Sequence, residues 1–208
     1  PNVIDRSRMQ RREHPALPFE MVREAVVNAL IHRDYDIAGA KCQLVVTEDT
    51  ITVKSPGAPL PPIMLKQLQS FTAPMLSRNP ALHYVFARMG MAEERGLGIK
   101  SLRSGAEKQG LPLPKYSWDN PYLVLTLYRS TAGATSTLSP EVLEDLNTDE
   151  QKGWEFLTTR MSVTRKEYAD QMGFDDRKAQ RHLQRFSKLG LLRKVGASSA
   201  TAYEVQKP

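Results

Sequence analysis

The chain has 208 residues, 40% of them hydrophobic and 25% charged, and a formal net charge of +6. That length holds one large domain, or one of about 130 residues and a smaller one, each able to bury a core. No apolar run approaches a membrane span, the basic N-terminal stretch has no signal-like apolar segment, and the single cysteine, Cys42, excludes an internal disulfide framework and a multi-cysteine metal site. A cytoplasmic location is the resulting expectation. The charge is uneven: residues 158–208 carry 11 Lys+Arg against 5 Asp+Glu, and the rest carries 18 of each. A neutral body with a basic C-terminal part points to nucleic acid there.

The chain starts at Pro1, and the polar, arginine-rich Asp5 to Glu13 reads as part of an extended lead-in, residues 1–14, from a preceding region. Pro18, with Glu20 in the first turn, starts a helix expected to run to about Asp34. At about 100° per residue, Glu24, Asn28 and His32 form one polar ridge, beside an apolar stripe of Val22, Val26, Val27, Leu30 and Ile31. The pair suits a nucleotide site in which Glu24 orients or deprotonates a water and Asn28 offers an oxygen to magnesium. An amphipathic surface helix carries such a pair just as readily. His32 and Arg33 could orient Glu24 or neutralise phosphate charge, or His32 could only cap the helix end.

Lys41 to Glu48 and Ile51 to Lys54 read as a hairpin, with Cys42 packed in its first strand, and Ser55-Pro56-Gly57 breaks the second. A short helix is expected over Ile63 to Ser70, and another over Ala81 to Met89 with Leu82, Val85, Phe86 and Met89 as core. Gly96 and Gly98 precede a helix reaching Gln109, where backbone N–H groups can meet a phosphate. Tyr122 to Tyr128 alternates as a closing strand, and the Ser/Thr/Ala/Gly-rich residues 130–139 read as a flexible linker.

Beyond the linker come one or two helices over Pro140 to Arg160, a capped helix over Val163 to Gly173, a second over Asp175 to Gly190, and a hairpin of Leu191 to Val195 with Thr201 to Val205. That order is helix, turn, helix, wing. Arg177, Lys178, Arg181 and Arg185 on the second helix, with Arg165, Arg193 and Lys194 around it, are candidate phosphate contacts on double-stranded DNA. Gln180 and Gln184, or Arg177 and Arg181, could reach base edges. A winged helix used for protein contacts or dimerisation is the competing reading.

With these residues in place, the first domain resembles the ATP-binding region of a bacterial and archaeal family labelled "ATP-dependent DNA helicase RecG-related" or transcriptional regulator, in which that region follows a Schlafen-type AlbA-like domain and precedes a winged helix. The matching segments are Arg23 to Tyr35, Ser55-Pro-Gly57, Ser77-Arg-Asn-Pro80 and Glu93 to Ile99. The family is similar to the GHKL group, which includes gyrase B, Hsp90, histidine kinases and MutL. The resemblance implies an α+β chain: a GHKL-like (Bergerat) two-layer α/β sandwich over residues 1–129, holding Mg-ATP between helices and a mixed sheet, then the linker, then a winged helix-turn-helix over residues 140–208.

It also implies Glu24 as general base, Asn28 as magnesium ligand, Arg95, Gly96 and Gly98 in the second glycine box, and Leu60 to Glu94 as the ATP lid. Where the wider group has an Asp and paired glycines at the adenine end, this chain has Ser55, Pro56, Gly57 and Pro59. The phosphate-binding Gly-x-x-x-x-Gly-Lys-Ser/Thr loop of a translocating motor is missing from the sequence, so no helicase activity is expected. The two readings are a DNA-binding transcriptional regulator with a nucleotide-sensing domain and at most slow Mg-dependent ATP hydrolysis, and a winged-helix transcription factor whose degenerate first domain serves dimerisation. A homodimer fits either one.

Overall fold

The computed structural model describes residues 17–92, 98–196 and 201–206. The lead-in expected over residues 1–14 lies outside them. The chain divides into two compact units, Pro1–Ser130 and Thr131–Pro208. Both mix helices with antiparallel sheets, in keeping with a GHKL-like α/β domain for the first. Among the described residues no helix is long and apolar enough to cross a membrane.

In the first unit the helix after Pro18, α1 (Phe19–Ile31), buries Met21, Ala25, Val27, Ala29 and Ile31. Val27 and Ile31 of the expected stripe are buried, whereas Val22, Val26 and Leu30 are half-buried, and the buried side extends instead over Ala25 and Ala29, small residues that let the helix backbone come close to the sheet. Ser55 Oγ donates to Ala29 O at 2.7 Å, and Cys42 Sγ, half-buried, lies 3.5 Å from the same oxygen. The helix stops at Ile31, short of Asp34.

The hairpin β1 (Gln43–Val46) and β2 (Thr50–Pro56) is followed by α2 (Leu65–Gln69), α3 (Pro80–Arg88), α4 (Gly98–Gln109), β3 (Lys115–Asp119) and β4 (Tyr122–Tyr128). The sheet order is β1-β2-β4-β3, and every pairing is antiparallel, where a mixed sheet was expected. Val53 pairs with Leu125, Ser55 with Leu123 and Tyr116 with Leu125, so these side chains share the face toward α1. Strand β3 escaped the periodicity reading because Lys115, Ser117 and Asp119 dilute its apolar content.

The expected core role of Leu82, Val85, Phe86 and Met89 does not hold. No residue of α3 is buried, and Val85 and Met89 are 50% and 59% exposed. Helical spacing identifies an apolar face but not whether a second layer covers it.

The second unit contains α5 (Ala132–Ser136), α6 (Pro140–Asp145), α7 (Thr148–Thr158), β5 (Ser162–Thr164), α8 (Arg165–Met172), α9 (Asp176–Lys188), β6 (Leu192–Val195) and β7 (Ala202–Val205). The expected flexible linker is largely α5, with Gly133, Ala134 and Thr135 buried and Trp154 Nε1 donating to Ala134 O. Small residues here permit close packing, although their composition also reads as flexibility.

Side-chain caps fix the later helices. Asn147 with Glu150 and Thr164 with Glu167 form reciprocal capping boxes, and Asp175 accepts from Lys178 N. The three strands order as β5-β7-β6, with Leu157, Val163, Tyr168, Leu183, Phe186 and Leu191 in the core.

Gly153 on α7 faces Tyr168, which donates to or accepts from His182 Nδ1 at 3.1 Å. A Cβ at Gly153 would overlap the Tyr168 hydroxyl oxygen and lie 3.1 Å from Cζ. Gly153→Ala is therefore expected to destabilise the protein by about 1–3 kcal/mol in urea denaturation. Adding Tyr168→Phe, which removes the overlapping oxygen, should recover part of that loss in a double-mutant cycle.

Candidate functional site

On α1 the spacing of four puts Glu24, Asn28 and His32 along one ridge, and Asn28 Nδ2 donates to Glu24 Oε1 at 2.8 Å. The first residue of α4 packs directly on this pair. A Cβ at Gly98 would overlap Glu24 Oε1 and stand 3.3 Å from Asn28 Nδ2, so only glycine lets α4 start here without displacing the carboxylate. A helix N-terminus carries outward N–H groups and a partial positive charge, which suit an anion beside it. Because the Asn28 amide nitrogen is committed to Glu24, its Oδ1 is the atom left to face a cation.

A cleft of about 160 Å³ opens next to them. Its polar end has Glu24, Asn28, His32, Arg78 and His83, its floor has Val53, Tyr116, Leu123 and Leu125, and the segment of Leu60, Ile63, Leu68, Met75 and Leu76 forms an apolar wall. Ser55, Gly57, Ala58 and Pro59 line it as β2 ends. At Gly57 φ is +114°, and a Cβ would come within 2.6 Å of Asp34 Cβ. Glycine there lets β2 pass beneath the turn that follows α1, where Asp34 N donates to Pro56 O at 2.7 Å.

The end of α1 is held by Arg78 and Asn79, just before α3. Asn79 Nδ2 donates to Ile31 O at 2.7 Å and to Arg33 O at 2.9 Å. Arg78 Nε donates to His32 O at 3.1 Å, Nη1 pairs with Asp34 at 3.2 Å, and Nη2 reaches Ala58 O at 2.6 Å. This is the physical content of Ser77-Arg-Asn-Pro80: it satisfies the last carbonyls of α1 and puts a cation at the helix's negative end. Arg78 is the cleft cation that sequence reasoning missed, although its motif was in view.

Arg33 is placed elsewhere. Its guanidinium sits 4.4 Å from the Tyr35 ring centre and donates to Ala40 O, and it does not line the cleft. His32 lines the cleft, but burial, then the nearby His83 and Arg78, lower its pKa to about 4. At neutral pH it is an uncharged imidazole, so it can offer a hydrogen bond but cannot neutralise phosphate charge. Burial, and next the Glu24 charge, push the Tyr116 phenol well above its usual range, so it stays protonated. Arg95 and Gly96 lie outside the described residues. Among the described residues no cluster of three or more His, Cys, Asp or Glu could hold a metal by itself.

In the second unit the basic residues separate into two sets. Arg165 pairs with Asp176 at 2.9 Å and donates to Gln180, Lys178 pairs with Asp149 at 2.6 Å, Arg185 pairs with Asp145 and Glu150, and Arg193 pairs with Glu204. Arg177, Arg181 and Gln184 are exposed on one face of α9 and make no ion pair among the described residues. Lys188, which sequence reasoning passed over, extends that face, and Lys194 is exposed on β6.

A family model of the HATPase_c_4 type, described as "Putative ATP-dependent DNA helicase recG C-terminal", matches residues 39–127. The match supports a RecG-related ATP-binding domain in the first unit. It begins after α1, so Glu24, Asn28, His32 and Arg33 lie upstream of it. No curated protein matches the chain. Among solved structures the fold is similar to that of the DIP2311 protein from Corynebacterium diphtheriae, at 21% identity and a TM-score of 0.51 over 91% of this chain. The chain spans 39% of that protein's solved chain.

The His32 shift has a testable sign. A histidine whose folded pKa is lowered contributes stability fully present above its unfolded value of about 6.5, and that stability is lost as pH falls toward 4. Between pH 7 and 4 the wild type should therefore lose on the order of 2 kcal/mol more than His32→Gln, given the ring's partial exposure. Urea denaturation of both proteins at the two pH values checks this.

Proposed function

We propose that the chain is a DNA-binding regulator whose first unit binds Mg-ATP in the α1/α4 cleft and whose second unit is a winged helix. The observation that carries the nucleotide reading is the contact of Gly98 with the Glu24/Asn28 pair, which sets a carboxylate, a carboxamide oxygen and a helix N-terminus at one end of an otherwise apolar cleft. Mg-ATP, when bound, supplies the phosphate anions, the metal charge that screens them and the linkage open to slow hydrolysis. Asn28 Oδ1 would hold the metal side, Gly98 lets α4 begin against the Glu24 carboxylate so that its first backbone N–H groups would face phosphate, and Glu24 would orient a water and accept its proton.

At the adenine end, Ser55 stands where the wider group carries Asp. Its proton is committed to Ala29 O, which leaves Oγ as an acceptor for an exocyclic amino group. The apolar floor and wall supply the surface for the base. The same Ser55 bond also favours the second reading, a domain that binds no nucleotide, because Ser55 already has a structural duty linking β2 to α1.

Calorimetry with Mg-ATP and a non-hydrolysable analogue separates the two. Binding is expected for the wild type, with a loss of about 10-fold or more in Asn28→Ala, since that variant removes a metal ligand. Glu24→Ala should still bind while any turnover disappears. No heat at millimolar nucleotide would reject the nucleotide reading and leave the structural one.

In the second unit the order α7, β5, α8, α9, β6, β7 with sheet β5-β7-β6 supports a winged helix with α9 as its recognition helix. The exposed Arg177, Arg181, Gln184 and Lys188 face is the surface for double-stranded DNA. Arg177→Ala with Arg181→Ala should weaken duplex binding and reduce the slope of log K against log salt by about 1–2, measured by fluorescence anisotropy. Arg185→Ala, which breaks the tie to Asp145 and Glu150, should lower stability and leave the slope unchanged. An unaltered slope in the double variant would count against α9 as the DNA-reading element.

A further inference from the structure

β1 is an edge of the first unit's sheet, and among the described residues no strand pairs with its outer side. All four of its residues are exposed, with Leu44 at 53%, Val45 at 44% and Val46 at 60%. Natural edges are protected by proline, charge, a bulge or a covering element. Here Cys42 to Thr47 contains neither proline nor charge, and the register with β2 runs unbroken from Gln43↔Lys54 to Val46↔Ile51. An uninterrupted apolar strand of this kind is a template for another strand.

We propose that β1 pairs antiparallel with β1 of a second copy of this chain, across a two-fold axis passing through Val45. Thr47 N donates to Thr50 O, so Gln43, Val45 and Thr47 turn their backbone groups toward β2, while Leu44 and Val46 turn theirs outward. A two-fold axis normal to the sheet keeps side chains of one face together only when paired residues are an even number apart.

Centring on Val45 satisfies both conditions. Leu44 of each copy exchanges backbone hydrogen bonds with Val46 of the other, and the two Val45 side chains meet in a non-hydrogen-bonded pair, where strands approach most closely. This register also brings Lys41 beside the Glu48-Asp49 turn of the second copy. Centring on Leu44 would set Gln43 against Val45 and Lys41 against Thr47, losing both the apolar and the charge match. The strand's own sequence is thus its own complement, which selects a second copy over an unrelated strand.

Sedimentation velocity on the full chain is the test. A four-residue strand buries little beside a standard interface, so a reversible dimer dissociating at about 10–100 μM is expected. Val45→Lys places two ammonium groups on the axis and should shift the protein to monomer at every concentration, while Val45→Thr should retain the dimer. A second arm does not depend on that variant. In a Cys42→Ser background, Val45→Cys should form a symmetric disulfide dimer under mild oxidation, and Leu44→Cys, whose partner across the axis is Val46, should not. A monomer at all concentrations, a dimer that survives Val45→Lys, or equal cross-linking at Leu44→Cys would overturn the proposal.

Discussion

The end of α1 and the two residues after it present carbonyls at Ile31, His32 and Arg33, and each accepts a hydrogen bond from Arg78 or Asn79, 46 to 48 residues further along the chain. Helix ends need such partners, because unpaired backbone oxygens away from water are costly. The same Arg78 also joins Asp34 to Ala58, so one side chain ties together α1, the turn after it and the turn after β2. On the sheet side Ser55 adds its bond to Ala29. Between these two attachments α1 cannot rotate freely, and the direction in which Glu24 and Asn28 point is decided.

That constraint also sets the electrostatics of the cleft. Arg78, fixed at the negative end of α1, is the cation at the polar end and contributes, after burial and His83, to keeping His32 neutral. The imidazole thus carries no charge there, and the guanidinium is itself shared with Asp34, which leaves the start of α4 as the unshared positive end at the cleft. In the second unit ion pairing makes a comparable division. Arg165, Lys178, Arg185 and Arg193 hold elements together, and Arg177, Arg181 and Lys188 remain turned outward on α9.

Much of the local structure was legible in the sequence because its causes are local. Pro18, the capped start of the helix after Val163, the Asp175 cap and the alternation of Tyr122 to Tyr128 mark elements through backbone geometry and side-chain reach over a few residues. The Glu24/Asn28 pairing follows from helical spacing in the same way, and Gly98 marked the start of α4. The misreadings have non-local causes. Periodicity points the α3 residues to a core because it does not report what lies opposite, and composition makes residues 132–136 look like linker because small residues serve tight packing as well as flexibility.

The sequence by itself determined where many of the helices and strands begin, which side chains share a helix face, and where the chain's positive charge accumulates, since all of these follow from short-range geometry and composition. Only the tertiary structure decided that Arg78 and not Arg33 faces the cleft, that His32 is uncharged there, and that Arg185 is occupied in holding the fold. Those outcomes depend on burial and on partners tens of residues away, and no local pattern encodes either.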